Sequence, residues 1–262
     1  WRNETSYYDL LAAAFSHGRI ALEIEPDPAL LALEEPYEPA NRKGIPVLWD
    51  ATFYKGKYHI YWGPAPALFL ALVKPFHAGE IGDKVLTFAF LTGTFAWQAL
   101  FLLDLWKRYF FNLRRWAVLT GVAFAGLVCP MPYILVEGRI YEAAIVSGQF
   151  FLTGGIYWLY AAFHRPSWKP LAAAGLFLAL AAASRTTLVP SAAFLGVVVF
   201  VWAAQIRDGK APARIAAFAA PLLAGALAYG WYNYARFDSF LEFGLRYQLT
   251  SYNFQKFFGE SF

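Results

Sequence analysis

Residues 186–206 read TTLVPSAAFLGVVVFVWAAQI, 21 positions without an Asp, Glu, Lys or Arg. A helix rises about 1.5 Å per residue, so a run of this length matches the roughly 30 Å hydrocarbon core of a bilayer. Five more charge-free runs lie along the chain, at 85–103, 116–136, 143–163, 170–184 and 215–235. Soluble cores are assembled from amphipathic stripes, whereas uninterrupted apolar runs belong in lipid. The expected fold class is all-α: a polytopic bundle of six transmembrane helices over 83–235.

Charge placement supplies the orientation. The net charge is +4, and its basic residues follow the spans instead of clustering on one face, which argues against a nucleic-acid partner. Lys107, Arg108, Arg114 and Arg115 join the first run to the second. Arg165 and Lys169 join the third to the fourth, and Arg207, Lys210 and Arg214 the fifth to the sixth. Positive residues in short loops stay cytoplasmic. The long leading segment, residues 137–142, the Arg185 corner and the tail are then expected outside. Of 18 acidic residues only Asp104 and Asp208 fall near the inner face, which directs polar chemistry to the outer one.

Residues 1–57 are polar and punctuated by prolines, with a helical stretch at 7–15, a stop at Gly18 and an extended acidic segment at 23–38. Their aromatic content is too high for disorder and suits a membrane interface or a sugar-binding surface. The apolar run 58–73 carries Pro64 and Pro66 and ends at Lys74-Pro75. Its length and prolines predict an interfacial or re-entrant helix at about 64–79; a spanning helix there would move the first 57 residues to the cytoplasm. The expected organisation is an external loop over 1–82, six spans over 83–235 and a second external segment over 236–262. The run 170–184 covers only about 22 Å before Arg185, a charge that is costly near lipid unless paired or used. Cys129 is the one cysteine and lies in an apolar run, so no internal disulfide forms. The chain starts at Trp1 with no methionine before Met131 and stops in polar sequence at Phe262, which reads as a fragment with residues missing at both ends.

The first loop opens WRNETSYYDLLAAAFSHGRIAL (1–22) and continues LWDATFYKGKYHIYWGPAPALFLALVKPF (48–76). An acidic residue followed by aromatics, an Ala-rich helix and a Gly, and then a proline-containing apolar helix, resembles the first external loop of the GT-C superfamily of membrane glycosyltransferases. The likeness is to the family 39-like enzymes related to protein O-mannosyltransferases and aminoarabinose transferases. Glu4, Tyr7, Tyr8, the run 11–15 and Gly18 resemble the first part; Pro64, Pro66 and 67–73 resemble the second. Asn3-Glu4 stands where the family carries Asp-Glu. The segment 235–249, ARFDSFLEFGLRYQL, is also similar to bacterial members of the group.

The resemblance implies transfer of a sugar from a polyprenyl-phosphate-linked donor to a lipid, glycan or protein acceptor, in the inner (plasma) membrane with the active site on the outer face. Such chemistry needs a carboxylate to take the acceptor hydroxyl's proton. Glu4, Asp9 and Asp50 are the candidates. Each also has a plainer reading: Glu4 as a first-turn acid on a helix, Asp50 as a brace to Lys55 or Lys57. It also needs cations where charge builds on the departing phosphate. Arg185 leads; Lys57, Arg236 and Arg246 are further candidates, with interface anchoring as the alternative for each. Arg139 and Glu142, three apart, could line the site or form an ion pair where their helix begins. Tyr58 and Tyr61 could stack on the sugar or prenyl chain, or belong to an aromatic belt. The four histidines show no metal-ligand spacing, although several external carboxylates leave room for a divalent cation. Two rivals remain open: a lipid or solute transporter with Arg185 and Glu142 lining its path, and a non-catalytic assembly subunit on the same scaffold.

Overall fold

The computed structural model describes residues 5–77, 79–127 and 131–258. The fold is mostly helical. In chain order the elements are α1 (Tyr7–Ser16), α2 (Pro28–Leu31), β1 (Thr52–Tyr54), β2 (Lys57–His59), α3 (Ala65–Val73), α4 (Asp83–Tyr109), α5 (Arg115–Leu127), α6 (Met131–Glu137), α7 (Ile140–His164), α8 (Trp168–Ala182), α9 (Val189–Gln205), α10 (Ala211–Phe237) and α11 (Gln255–Phe258). They fall into two compact units, one holding residues 7–79 with the chain from 227 onward, the other residues 80–226 with the short stretch before Tyr7.

In the first unit, α1 buries Tyr8, Leu11, Ala12 and Ala14. It ends because Gly18 adopts φ 70°, so that the Gly18 N–H reaches the Phe15 carbonyl at 3.0 Å and the Arg19 N–H the Ala14 carbonyl at 2.8 Å. This paired closure needs a residue without a Cβ at the left-handed position. Ala65, Ala67 and Leu70 face inward on α3, which packs against α1. The hairpin β1–β2 departs from an all-helical expectation for a clear local reason: Lys55 and Gly56 both take positive φ (48° and 71°), the geometry of a two-residue hairpin turn. The tail returns to this hairpin. Leu249 is fully buried, its N–H bonding the Ala51 carbonyl at 2.8 Å while the Asp50 N–H bonds the Leu249 carbonyl at 2.9 Å. Arg42 donates to the Thr250 carbonyl at 2.7 Å, and Lys256 pairs with Glu38 at 2.5 Å.

The second unit is built around α7, which packs against both α4 and α8. Leu159, Leu171, Leu178, Val199 and Phe218 form its core. Small residues let the helices approach closely: a Cβ added at Gly175 would stand 2.1 Å from the Phe218 carbonyl oxygen, and one at Gly154 would stand 2.4 Å from the Phe177 ring. Beside them Trp97 packs on Tyr157 and Phe177, with ring centres 5.2 and 5.6 Å away. Asp83 opens α4 wholly buried, and the Thr5 hydroxyl donates to its carboxylate at 2.5 Å while accepting the Ile140 N–H at 3.0 Å. One threonine thus joins the starts of α4 and α7.

Among the described residues three helical segments are long and apolar enough to cross a membrane: Asp83–Tyr109, Thr186–Gln205 and Ala211–Phe237. The other expected spans are not among these. Residues 116–136 are described as α5 up to Leu127 and as α6 from Met131. Residues 128–130 lie outside the described residues, and Cys129 with them. Helix α8 has 15 residues, about 22 Å. Helix α7 has 25 residues and is free of charged residues from 143 to 163. The stretch Ala65–Phe76 is a shorter apolar helix.

Candidate functional site

Glu4, the first of the three carboxylates, lies outside the described residues. Asp9 sits in the first turn of α1, where it is 6% exposed. Lys74, immediately after α3, brings its Nζ to 2.8 Å from the Asp9 carboxylate and 3.2 Å from the Gly79 carbonyl. The packing of α1 against α3 therefore buries an ion pair between residues far apart in sequence. A buried pair keeps its geometry because removing either partner strands the other charge.

Asp50 serves the fold through its backbone. It adopts φ 61°, which Asp tolerates better than most residues. Besides the bond to Leu249, its carbonyl accepts from the Gln248 side chain at 3.0 Å. The expected brace through Lys55 or Lys57 is replaced by another: Lys55 reaches Asp238 at 2.6 Å, and the same carboxylate accepts from the Tyr54 hydroxyl at 3.1 Å. These two bonds hold the Asp238 carboxyl below its usual pKa.

Lys57 lies on the rim of an open groove of about 420 Å³, formed by the extended chain from Gly18 to Pro26 and the Gly56 turn. Four charged side chains line the groove: Arg19, Glu23, Glu25 and Lys57. Glu23 is engaged by Arg19 at 3.2 Å and by His17 at 2.9 Å. Tyr58 is a core residue, 2% exposed, its ring 5.6 Å from that of Phe53 and its hydroxyl accepting the Leu48 N–H at 3.3 Å. Tyr61 lies against Trp62, with ring centres 4.2 Å apart. Arg246 is paired with Glu242 at 2.7 Å.

In the helical unit, Arg139 and Glu142 do not form the expected mutual ion pair. The Glu142 carboxylate accepts the Arg139 backbone N–H at 3.0 Å, satisfying a donor at the start of α7, while the Arg139 guanidinium lies 3.2 Å from Glu137. Arg185 follows α8 half-buried, its Cβ and Cγ beside Gly148 of α7, and its Nη1 is buried without a hydrogen-bond partner among the described residues. A glycine there leaves room for the arginine stem.

Sequence reasoning missed three features: Lys74 as the partner of Asp9, the buried Thr5–Asp83 pair, and the burial of Arg236 with His59. Burial and the neighbouring Arg236 guanidinium push the His59 pKa down to about 3. Among the described residues no group of three or more His, Cys, Asp or Glu side chains is placed to hold a metal ion. Comparisons with models of protein families, with curated proteins and with solved structures find no match for this chain.

Proposed function

We propose that this protein is a membrane glycosyltransferase of GT-C type, moving a sugar from a polyprenyl-phosphate-linked donor to an acceptor hydroxyl on the non-cytoplasmic side of the plasma membrane. The observation that carries the reading is the buried Asp9–Lys74 pair beneath α3. The outward face of α3 and the turn after it exposes Leu68, Phe69, Leu72 and Phe76, a surface suited to lie among lipids. A carboxylate fixed behind such a helix is suited to meet a substrate at the lipid boundary.

In this reading Asp9 accepts the acceptor hydroxyl's proton as the oxygen bonds to the anomeric carbon. The bond from that carbon to the donor phosphate breaks, and its electron pair leaves with the polyprenyl phosphate. Lys74 orients the carboxylate. Arg185 remains a candidate phosphate contact, its Nη1 buried without a hydrogen-bond partner among the described residues. Glu4 and Asp50 remain candidate bases, and Lys57 a second phosphate contact. A divalent cation held by external carboxylates would add positive charge at the phosphate.

The test is sugar transfer by the purified protein in liposomes supplied with a radiolabelled polyprenyl-phosphate sugar. Loss of a general base costs about 10²- to 10⁴-fold in rate. We expect Asp9→Asn to lower turnover by that order. Undiminished transfer by Glu4→Gln, Asp9→Asn and Asp50→Asn alike would remove the carboxylate mechanism.

A further inference from the structure

The end of α10 gathers buried polar atoms that sugar transfer does not use. Arg236 is 4% exposed. Its Nη1 donates to the Ile60 carbonyl at 2.5 Å and its Nη2 to Asn233 Oδ1 at 2.7 Å, whereas its Nε is buried without a partner. The guanidinium carbon lies 3.9 Å from the centre of the Tyr232 ring and 4.5 Å from that of Phe237. Among the described residues no carboxylate pairs with it. Glu242, the acid whose charge reaches it, is held by Arg246 at 2.7 Å. Around this cation Tyr229 Oη, Tyr232 Oη and His59 Nδ1, like the Arg236 Nε, are buried without a hydrogen-bond partner among the described residues.

Native proteins leave few buried polar atoms unpaired, and each asks for a reason. Here the surplus has a definite character. The Arg236 Nε–H and two tyrosine hydroxyls are donors set about a positive charge that no carboxylate among the described residues contacts, which is how proteins recognise an oxyanion. His59 adds one requirement of the opposite kind. It hydrogen-bonds to the backbone of Ile20, so its neutral ring offers Nδ1 as an acceptor. An ionised carboxylate accepts hydrogen bonds and has none to give. A monoprotonated phosphate does both.

We propose that Arg236, Tyr229, Tyr232 and His59 form a binding site for a phosphate monoester, the guanidinium and hydroxyls holding its oxygens and His59 accepting its remaining proton. Inorganic phosphate and the headgroup of phosphatidic acid share this chemistry; a phosphodiester lacks the proton. The site stands independently of the sugar-transfer reading, because neither Asp9 nor Arg185 contributes to it.

The test uses the full chain in a neutral detergent. Thermal midpoints are followed against sodium phosphate at pH 7, with chloride and sulfate at matched ionic strength. Phosphate is expected to raise the midpoint with the logarithm of its concentration, as any ligand of the folded state does. Sulfate, which carries no proton at this pH, should act more weakly. The double variant Tyr229→Phe/Tyr232→Phe discriminates further. It deletes two hydroxyls that have no partner among the described residues, so it should begin at or above the parent midpoint and lose the phosphate response. A second arm compares nanodiscs of phosphatidylcholine with and without phosphatidic acid. A response confined to this arm assigns the site to the lipid headgroup, and one present with inorganic phosphate assigns it to the free ion. If neither arm responds, or the double variant responds as the parent does, the site is refuted.

Discussion

His59 must stay uncharged for the fold to keep it where it is. Its folded pKa of about 3 lies below the ordinary value of 6.5, so between those limits the unfolded chain binds a proton that the folded chain refuses. Stability from this group is therefore complete above pH 6.5 and declines as pH falls towards 3, by at most about 1.4 kcal/mol per pH unit. Thermal midpoints at pH 7 and pH 5 should differ in this direction, and His59→Gln should reduce the difference; an unchanged pH dependence in the variant would contradict the assignment. Asp50 allows a separate test. Asn is also at home at positive φ, so Asp50→Asn should leave the midpoint unchanged while removing the charge, and circular dichroism with a melting curve checks that. Asp9 was legible from its place in an Ala-rich helix after aromatics. Its partner Lys74 was not, because nothing local links two positions on different helices. The same applies to Arg236: a basic residue at the end of an apolar run reads as an anchor, and only tertiary packing reveals the carbonyl and rings that enclose it.

At the scale of elements, the approach of α8 to α10 depends on one absent methyl group. Gly175→Ala would set a Cβ 2.1 Å from the Phe218 carbonyl oxygen, so the helices must separate. Overpacking of this kind costs about 1–3 kcal/mol, and a lowered thermal midpoint in detergent is the expected readout. The exposed side of α3 predicts something different. Phe76 is 89% exposed, so Phe76→Cys labelled with a polarity-sensitive dye should leave folding intact and report an apolar setting in liposomes; fully aqueous emission would argue against an interfacial helix. Charge-free runs located α4, α9 and α10 within a few residues, because apolar length is written directly in the sequence. The shortness of α8 was legible as well, because Arg185 closes its run. The runs did not reveal the β1–β2 hairpin, whose signal is a Lys-Gly turn within an aromatic stretch that also suits a helix or loop.

For the molecule as a whole, the decisive feature is a unit assembled from both ends of the chain. Leu249 fills a fully buried place beside Ala51, and Arg42 and Glu38 are held by Thr250 and Lys256. Deleting residues 245–258 should therefore loosen residues 48–60, visible as faster amide hydrogen exchange there, with slower exchange retained across α7 and α8. Uniform loosening would mean that the two units do not respond separately. Hydropathy patterns reported that the chain is mostly helical, yet pairing between residues about 200 positions apart leaves no trace in them.

That arrangement bears on how the protein is made. A ribosome delivers the hairpin and α1 long before Leu249, so the leading region must wait, with Ala51 and its neighbours uncovered, while every intervening helix is synthesised. Chaperones or the insertion machinery would have to shield it during that interval, and translation stalled before the tail should leave it open to protease.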